Sequence, residues 1–469
     1  MITKIRGLQA VLVPLLCFVL HPSFAQDSRY RQLDSIFGAW YSTGNFSGNI
    51  LIADYGRPIY RRSFGLANET SGQVLNDSTM FLLGSVTKQF TAFGVVLLKV
   101  QGKLKLDDDV RRYLPQFPYA DITIRQLLTH TSGVPDYFGL MSRYWDKSTI
   151  ASNKDMMAML IKYKPPVLFQ PGVRYEYSNT GYALLAMVIE KVSGLPFRQF
   201  MEEKVFQPLG MQRTIVYTRR YHPRLVANYA LGYVFDDSVK RYVLPDSSQQ
   251  FRKGLWEDGI VGEDGVNSTT GDLLIWDLAL YHNPLIGDSS LTAMFTSGSV
   301  DSGVSDYGFG WFIRTFPPYG RIAYHSGGWP GYMAYIERHL DNDKTVIVLR
   351  NKFISEPRLP IDAIRAVLYN RPVNSPAGIT VPAEILAKYA GTYRLAEHYS
   401  VVIALRNGGG LTLQGTNQPA FTLMALTNTT FYFQYWGATL QFIAGPSGEV
   451  GKLIVHQRGG QTAEGTREK

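Results

Sequence analysis

Apolar residues recur at helical spacing near the start of the chain and at strand spacing just after, and the alternation of the two periods outlines a fold. Tyr30, Leu33, Phe37 and Trp40 mark one face of an amphipathic helix. Two β-rich runs, 50–53 and 59–62, then flank Asp54-Tyr55-Gly56-Arg57, where Gly56 supplies the positive φ of a tight hairpin turn. From 85 to 100, Val86, Phe90, Phe93 and Leu97 repeat at helical spacing, and Gly102 stops the run. Short turns and helices follow to Leu128 and close on a polar loop, Thr129-His130-Thr131-Ser132-Gly133. A turn-rich stretch at 169–179 leads into a helix carrying Tyr182, Leu185, Val188 and Val192, ended by Gly194. Residues 219–252 read as an insertion that shapes a pocket, and Thr269 with Asp272 forms a capping pattern for a helix through Trp276 and Leu280. Strands are predicted at 307–313, 321–325, 332–339 and 345–349, and an amphipathic helix at 359–368.

Strands at both ends of this region with helices between them imply an α+β domain: an antiparallel sheet flanked by helices, with a helical subdomain inserted. Residues 26–372 are assigned to it. A stiff connection marked by Pro376 and Pro382 covers 373–383, and 384–469, with short alternating strands and many turns, reads as a separate small β-barrel or sandwich. Residues 1–25 read as a signal peptide. Lys4 and Arg6 precede an apolar run, and Ser23-Phe24-Ala25 places small residues where a signal peptidase cuts. The expectation is an exported protein, periplasmic or secreted.

The only cysteine, Cys17, lies in that leader, so the mature chain has no thiol for a disulfide, a metal or catalysis. With 45% apolar and 18% charged residues the composition is that of an ordinary globular protein. The net charge of +9 is carried by scattered pairs such as Arg61-Arg62 and Arg219-Arg220, which argues against a nucleic-acid partner and leaves room for contact with an anionic cell envelope. None of the eight histidines has a partner at ligand spacing, so no metal site and no cofactor is expected. The Gly-x-Ser-x-Gly elbow and the phosphate-binding loop are also absent.

Chemistry enters at Gly84-Ser85-Val86-Thr87-Lys88. Ser85 opens a helix, and Lys88 one turn later lies on the same face, roughly 5–6 Å away between Cβ atoms. A serine hydroxyl becomes a nucleophile when a neighbouring base takes its proton, and the helix dipole stabilises the oxyanion. Alone, this spacing also fits a plain helix cap, as does Tyr177-Ser178-Asn179 before its helix. The order Ser85-x-x-Lys88, Tyr177-x-Asn179, His325-Ser326-Gly327-Gly328 resembles the serine β-lactamases and penicillin-binding proteins, most closely the branch of class C β-lactamases, D-aminoacyl peptidases and related esterases. The resemblance covers about 28–370 and extends to Leu128-Thr129-His130-Thr131-Ser132-Gly133 and Tyr307-Gly308-Phe309-Gly310-Trp311.

The resemblance implies Ser85 as the acylated nucleophile, Lys88 and Tyr177 as the proton-transfer pair, and Asn179 as a hydrogen-bond partner of Lys88 and of a substrate amide. It implies an oxyanion site made by the backbone N–H groups of Ser85 and Gly328, on the strand carrying His325, Ser326 and Gly327. The third motif departs from the Lys-Thr-Gly usual in β-lactamases: histidine in place of lysine is mostly neutral and is free to relay protons. This favours a metal-independent serine hydrolase of peptide or ester substrates, some containing D-residues, over a β-lactamase. A non-catalytic penicillin-binding or sensor protein is the alternative of another class. The last domain is similar to the lipocalin-like modules appended to some of these hydrolases.

Overall fold

The computed structural model describes residues 28–468 except 282, 284, 301–302, 355–358, 374–379, 397–398, 407–408, 417–419, 434–437, 447 and 457–461. The expected leader and most of the expected linker lie outside the described residues.

The main sheet joins the two ends of the first domain. Helix α1 (Ser28–Ser42) and strands β1 (Gly48–Asp54) and β2 (Arg57–Phe64) come from the N-terminal end; β3 (Phe312–Phe316), β4 (Gly320–Trp329), β5 (Tyr332–His339) and β6 (Lys344–Arg350) come from the C-terminal end. The order is β3-β4-β5-β6-β1-β2, with every neighbour antiparallel. The hairpin between β1 and β2 turns on Tyr55 and Gly56, both at positive φ, which matches the right-handed twist of the strands it joins.

Pairing of β1 with β6 is what closes the domain, and both strands are buried on both faces, which explains their unbroken apolar runs. Ile50 and Ile52, opposite Val348 and Val346, pack with Leu33 and Phe37 of α1 and with Ile364 of α5 (Ile361–Leu368). Their neighbours Leu51, Ile347 and Leu349 point the other way, into a larger core shared with three helices: α2 (Thr87–Val100), α3 (Asn179–Ser193) and α4 (Thr270–Ala279). Trp276 of α4 lies 4.5 Å from Phe90 and 5.2 Å from Phe93, ring centre to ring centre, so α2 is wedged between sheet and helices. The helix carrying Lys88 is therefore part of the core.

One strand starts later than the pattern predicts. Tyr307-Gly308-Phe309-Gly310-Trp311 is a turn, and β3 begins at Phe312. Gly310 takes φ +82° with its hydrogen against α2: a Cβ there would stand 2.7 Å from the Gln89 Cα. Gly310 lets this segment lie directly against the helix, next to the Lys88 carbonyl.

Residues 391–467 form a closed barrel of eight antiparallel strands, from Gly391–Ala396 to Thr462–Arg467, the first pairing with the last at Tyr393 and Arg467. Alternate residues such as Val401, Ile403, Leu411, Leu413, Phe421 and Leu423 point inward, and Leu386 and Tyr389 from the preceding helical turns join them in one core. Closure removes the exposed edges that an open sheet of this size would carry.

Candidate active site

Ser85 sits in a tight turn, Gly84–Val86, that runs into α2. The turn is held from behind by residues 263–268: Leu83 N–H donates to the Val266 carbonyl (2.9 Å), and Val266 N–H donates to the Thr87 hydroxyl (3.1 Å). This places the Gly262-Glu263-Asp264 segment beside Lys88. The Lys88 ammonium is fully buried and donates to Ser85 Oγ (3.0 Å), to the Glu263 carbonyl (3.0 Å) and to Glu263 Oε2 (3.3 Å). Burial alone would push its pKa down, but Tyr177 and the Glu263 carboxylate outweigh burial, and it lies above the usual lysine value. Lys88 Nζ is 5.0 Å from the centre of the Tyr177 ring.

The second wall is the turn before α3. Ser178 caps the helix, accepting from Gly181 N–H (3.2 Å), while its own N–H donates to His130 Nδ1 (3.0 Å). The His130 carbonyl accepts from Glu176 N–H (2.9 Å), so one residue, at φ +57°, grips the Tyr177 turn from both sides. Its ring lies 4.3 Å from the Tyr177 ring, and the Phe312 ring lies nearly parallel to Tyr177 at 6.4 Å. Burial and the nearby Lys88 charge hold His130 well below the usual histidine pKa. Asn179 starts α3, but the bond to Lys88 expected from the sequence is not made. The three Lys88 donors are taken by Ser85 and Glu263, and Asn179 Oδ1 is buried without a partner.

The third wall is β4, and glycines decide how close it comes. Gly84, at φ +56°, would place a Cβ 2.6 Å from Gly328 N; Gly327 would place one 1.9 Å from the Leu83 carbonyl oxygen and 2.9 Å from Ser85 N. Only hydrogen fits in that contact, which brings the backbone nitrogens of Ser85 and Gly328 to the same crevice. Ser326 and Gly328 are exposed along the strand and Gly327 is buried against the turn.

His325 differs from its expectation. It is 2% exposed, and both ring nitrogens are used inside the protein, Nδ1 with the Ser326 carbonyl (2.7 Å) and Nε2 with the Tyr307 hydroxyl (2.9 Å). A carbonyl only accepts, so Nδ1 carries the proton and Nε2 accepts from Tyr307. Burial and the Lys88 charge push its pKa down to about 3. It is a neutral strut behind Tyr177, at 6.2 Å ring to ring, rather than a free relay or a substitute for a strand-borne lysine.

Sequence reasoning did not single out Glu263, His130 or Tyr307 as site residues. His130 and Tyr307 lay in stretches carried by the family resemblance, whereas Glu263 had only a local signal, two acids between glycines at 262–265. The described residues hold no group of three or more His, Cys, Asp or Glu side chains arranged to bind a metal. A buried ammonium on a serine hydroxyl, a phenol beside it and two backbone N–H groups at the same crevice make an arrangement able to attack a carbonyl and stabilise the resulting oxyanion.

Residues 38–371 match the beta-lactamase family model, and 375–467 match a domain of unknown function (DUF3471). The chain is 35% identical to penicillin-binding protein 4* of Bacillus subtilis (strain 168) over 95% of its own length and 100% of that protein's. It is 26% identical to a putative D-alanyl-D-alanine carboxypeptidase of Escherichia coli (strain K12), over 69% of this chain and 82% of the other. The octameric penicillin-binding protein homologue from Pyrococcus abyssi shares the fold, with a TM-score of 0.65 at 22% identity over 93% of this chain and 99% of that one. The chain belongs to the beta-lactamase family and is a serine hydrolase related to penicillin-binding proteins.

Proposed function

We propose that this protein cleaves peptide bonds next to D-residues, or esters of similar shape, through an acyl-enzyme on Ser85. The observation that carries the reading is the Lys88 amine, wholly buried and 3.0 Å from the Ser85 hydroxyl. Ser85 Oγ attacks the carbonyl carbon, and its proton passes to the Lys88–Tyr177 pair. The oxyanion is held by the N–H groups of Ser85 and Gly328, worth several kcal/mol in the transition state. Tyr177, partly exposed at the rim, protonates the leaving amine or alcohol, and water then releases the acyl group by the reverse path. Asn179 Oδ1, without a partner in the free enzyme, is the acceptor offered to a substrate amide N–H.

A peptide substrate with D-residues follows from the penicillin-binding and carboxypeptidase names of the relatives. The leader-like first 25 residues support action outside the cytoplasm, and the basic surface suits an anionic envelope. β-Lactam hydrolysis is disfavoured, because the strand position that would bind a lactam carboxylate through a lysine holds the buried, neutral His325.

The test is the intact mass of the protein after exposure to a fluorophosphonate and, separately, to a penicillin, each against Ser85→Ala. Label from both reagents, lost in the variant, is the expected result. Fluorophosphonate label alone points to an esterase or peptidase that rejects lactams. Folded protein with no Ser85-dependent label overturns the proposal in favour of a binding protein.

A further inference from the structure

The Glu263 carboxylate has a place that the reaction described above does not use. Oε2 accepts from Lys88 (3.3 Å) and Oε1 accepts from the Tyr137 hydroxyl (3.0 Å), which in turn lies 3.4 Å from Glu257 Oε2. Both oxygens receive donors, the arrangement suited to an ionised carboxylate. The peptide carrying it is fixed as well: Asn153 exchanges hydrogen bonds with Val261 N–H (2.8 Å) and C=O (2.8 Å), and the Thr91 hydroxyl donates to the Gly262 carbonyl (2.6 Å). Glu263 thus takes two of the Lys88 valences, one with its backbone and one with its side chain. The third is left to face Ser85 Oγ, at 3.0 Å, and the Tyr177 hydroxyl beside it.

We propose that Glu263 is a positioning residue for acylation, aiming the Lys88 nitrogen at Ser85 and setting with its charge the pH range in which the Lys88–Tyr177 pair holds a single transferable proton. The inference rests on Ser85 being the nucleophile. The groups facing Lys88 are Glu263 and Asp264 from the 262–265 turn, Tyr177 from the turn before α3, Tyr182 from the start of α3, His130 from its loop and His325 from β4. Burial keeps both histidines neutral. Burial and the Glu263 charge raise the Asp264 carboxyl, and the same causes raise Glu257 to about 9, so both tend to hold their protons. Glu263 is the carboxylate in direct contact with Lys88, at 3.3 Å.

The sign of the effect does not depend on which member of the pair is the base. A negative neighbour favours protons on the pair at both of its titration steps, so removing it moves both steps to lower pH. The experiment is the pH profile of kcat/KM for a chromogenic ester, in wild type, Glu263→Gln and Glu263→Ala. Wild type is first shown to take a Ser85-dependent fluorophosphonate label, so that failure of the nucleophile assignment is read separately. In Glu263→Gln both limbs of the bell should move together to lower pH by about one unit, and the plateau should fall less than in Glu263→Ala because the amide oxygen still accepts from Lys88. Glu263→Ala should show the same shift and lose about 10–100-fold on the plateau, as the lysine is no longer aimed. Unmoved limbs in folded, labelled Glu263→Gln overturn the proposal, whatever happens to the plateau. If Glu263→Ala fails to fold, the glutamine variant alone decides.

Discussion

Adding one methyl group to Gly327 should disable the site without touching any reactive side chain. The Cβ of Gly327→Ala would lie 1.9 Å from the Leu83 carbonyl oxygen and 2.9 Å from Ser85 N, whereas ordinary contact begins at 3.4 Å. Strand β4 and the Ser85 turn must therefore part by about 1.5 Å, and both obstacles are backbone, with no rotamer to swing aside. A misplacement of about 1 Å costs on the order of 100-fold, and loss of one oxyanion donor costs about 100- to 1,000-fold. A fall of at least about 100-fold in kcat/KM is expected, with an overpacking cost of about 1–3 kcal/mol in stability. Gly328→Ala is the control for stability: its Cβ meets nothing within 4 Å, so its unfolding midpoint should move much less. The assay is chromogenic ester turnover and fluorophosphonate inactivation rate, on protein whose near-ultraviolet dichroism shows native packing. A folded Gly327→Ala enzyme that acylates within a factor of about 3 of wild type would refute the reasoning, since the strand would then not need to seat against the Ser85 turn.

Ser85→Ala should abolish covalent labelling and leave the unfolding midpoint close to wild type, because the hydroxyl is half-exposed at a helix start. Lys88→Ala and Tyr177→Phe should each reduce ester turnover strongly, and the double variant should lose little more than the worse single, as expected of one proton path; additive losses would separate the two roles. His130→Ala removes the acceptor of Ser178 N–H and should cost about 1–3 kcal/mol, with a fall in kcat as the Tyr177 turn loosens. For pH, His325 titrates near about 3 when folded and near about 6.5 when unfolded, so between those values the unfolded chain binds a proton that the native one does not. Its contribution is whole above the higher value and is lost as pH falls toward the lower, by about 1.4 kcal/mol per pH unit; urea midpoints from pH 7 to 4 should fall less steeply in His325→Gln, read by tryptophan fluorescence.

What could be read in the sequence is what local periodicity and spacing encode. The Ser85–Lys88 contact follows from one turn of α2, the hairpin from Gly56, and the cap of α4 from Thr269, whose hydroxyl accepts from Asp272 N–H (3.1 Å). The pairing of β1 with β6 was implied only by where strands lay along the chain, and the long-range meeting of Ser85, Tyr177 and His325 came from family resemblance. The Lys88 setting was not legible, because one of its acceptors is the Glu263 backbone carbonyl, which belongs to every residue type. The same holds for Gly327, whose requirement is space against another backbone rather than a side chain.

His325 shows how the two kinds of information interact. Its identity predicted loss of the strand's charge relative to Lys-Thr-Gly, and the structure adds that the ring is sealed between Ser326 and Tyr307 and stays neutral down to about pH 3. The charge of the reacting centre then resides in Lys88 and Glu263, which offset each other behind Ser85. A substrate approaching Ser85 meets backbone donors and aromatic faces there, which suits a neutral amide or ester carbonyl. An anionic ligand gains no charge from His325, which leaves the exposed Ser326 beside it as the side chain of the motif open to such a ligand.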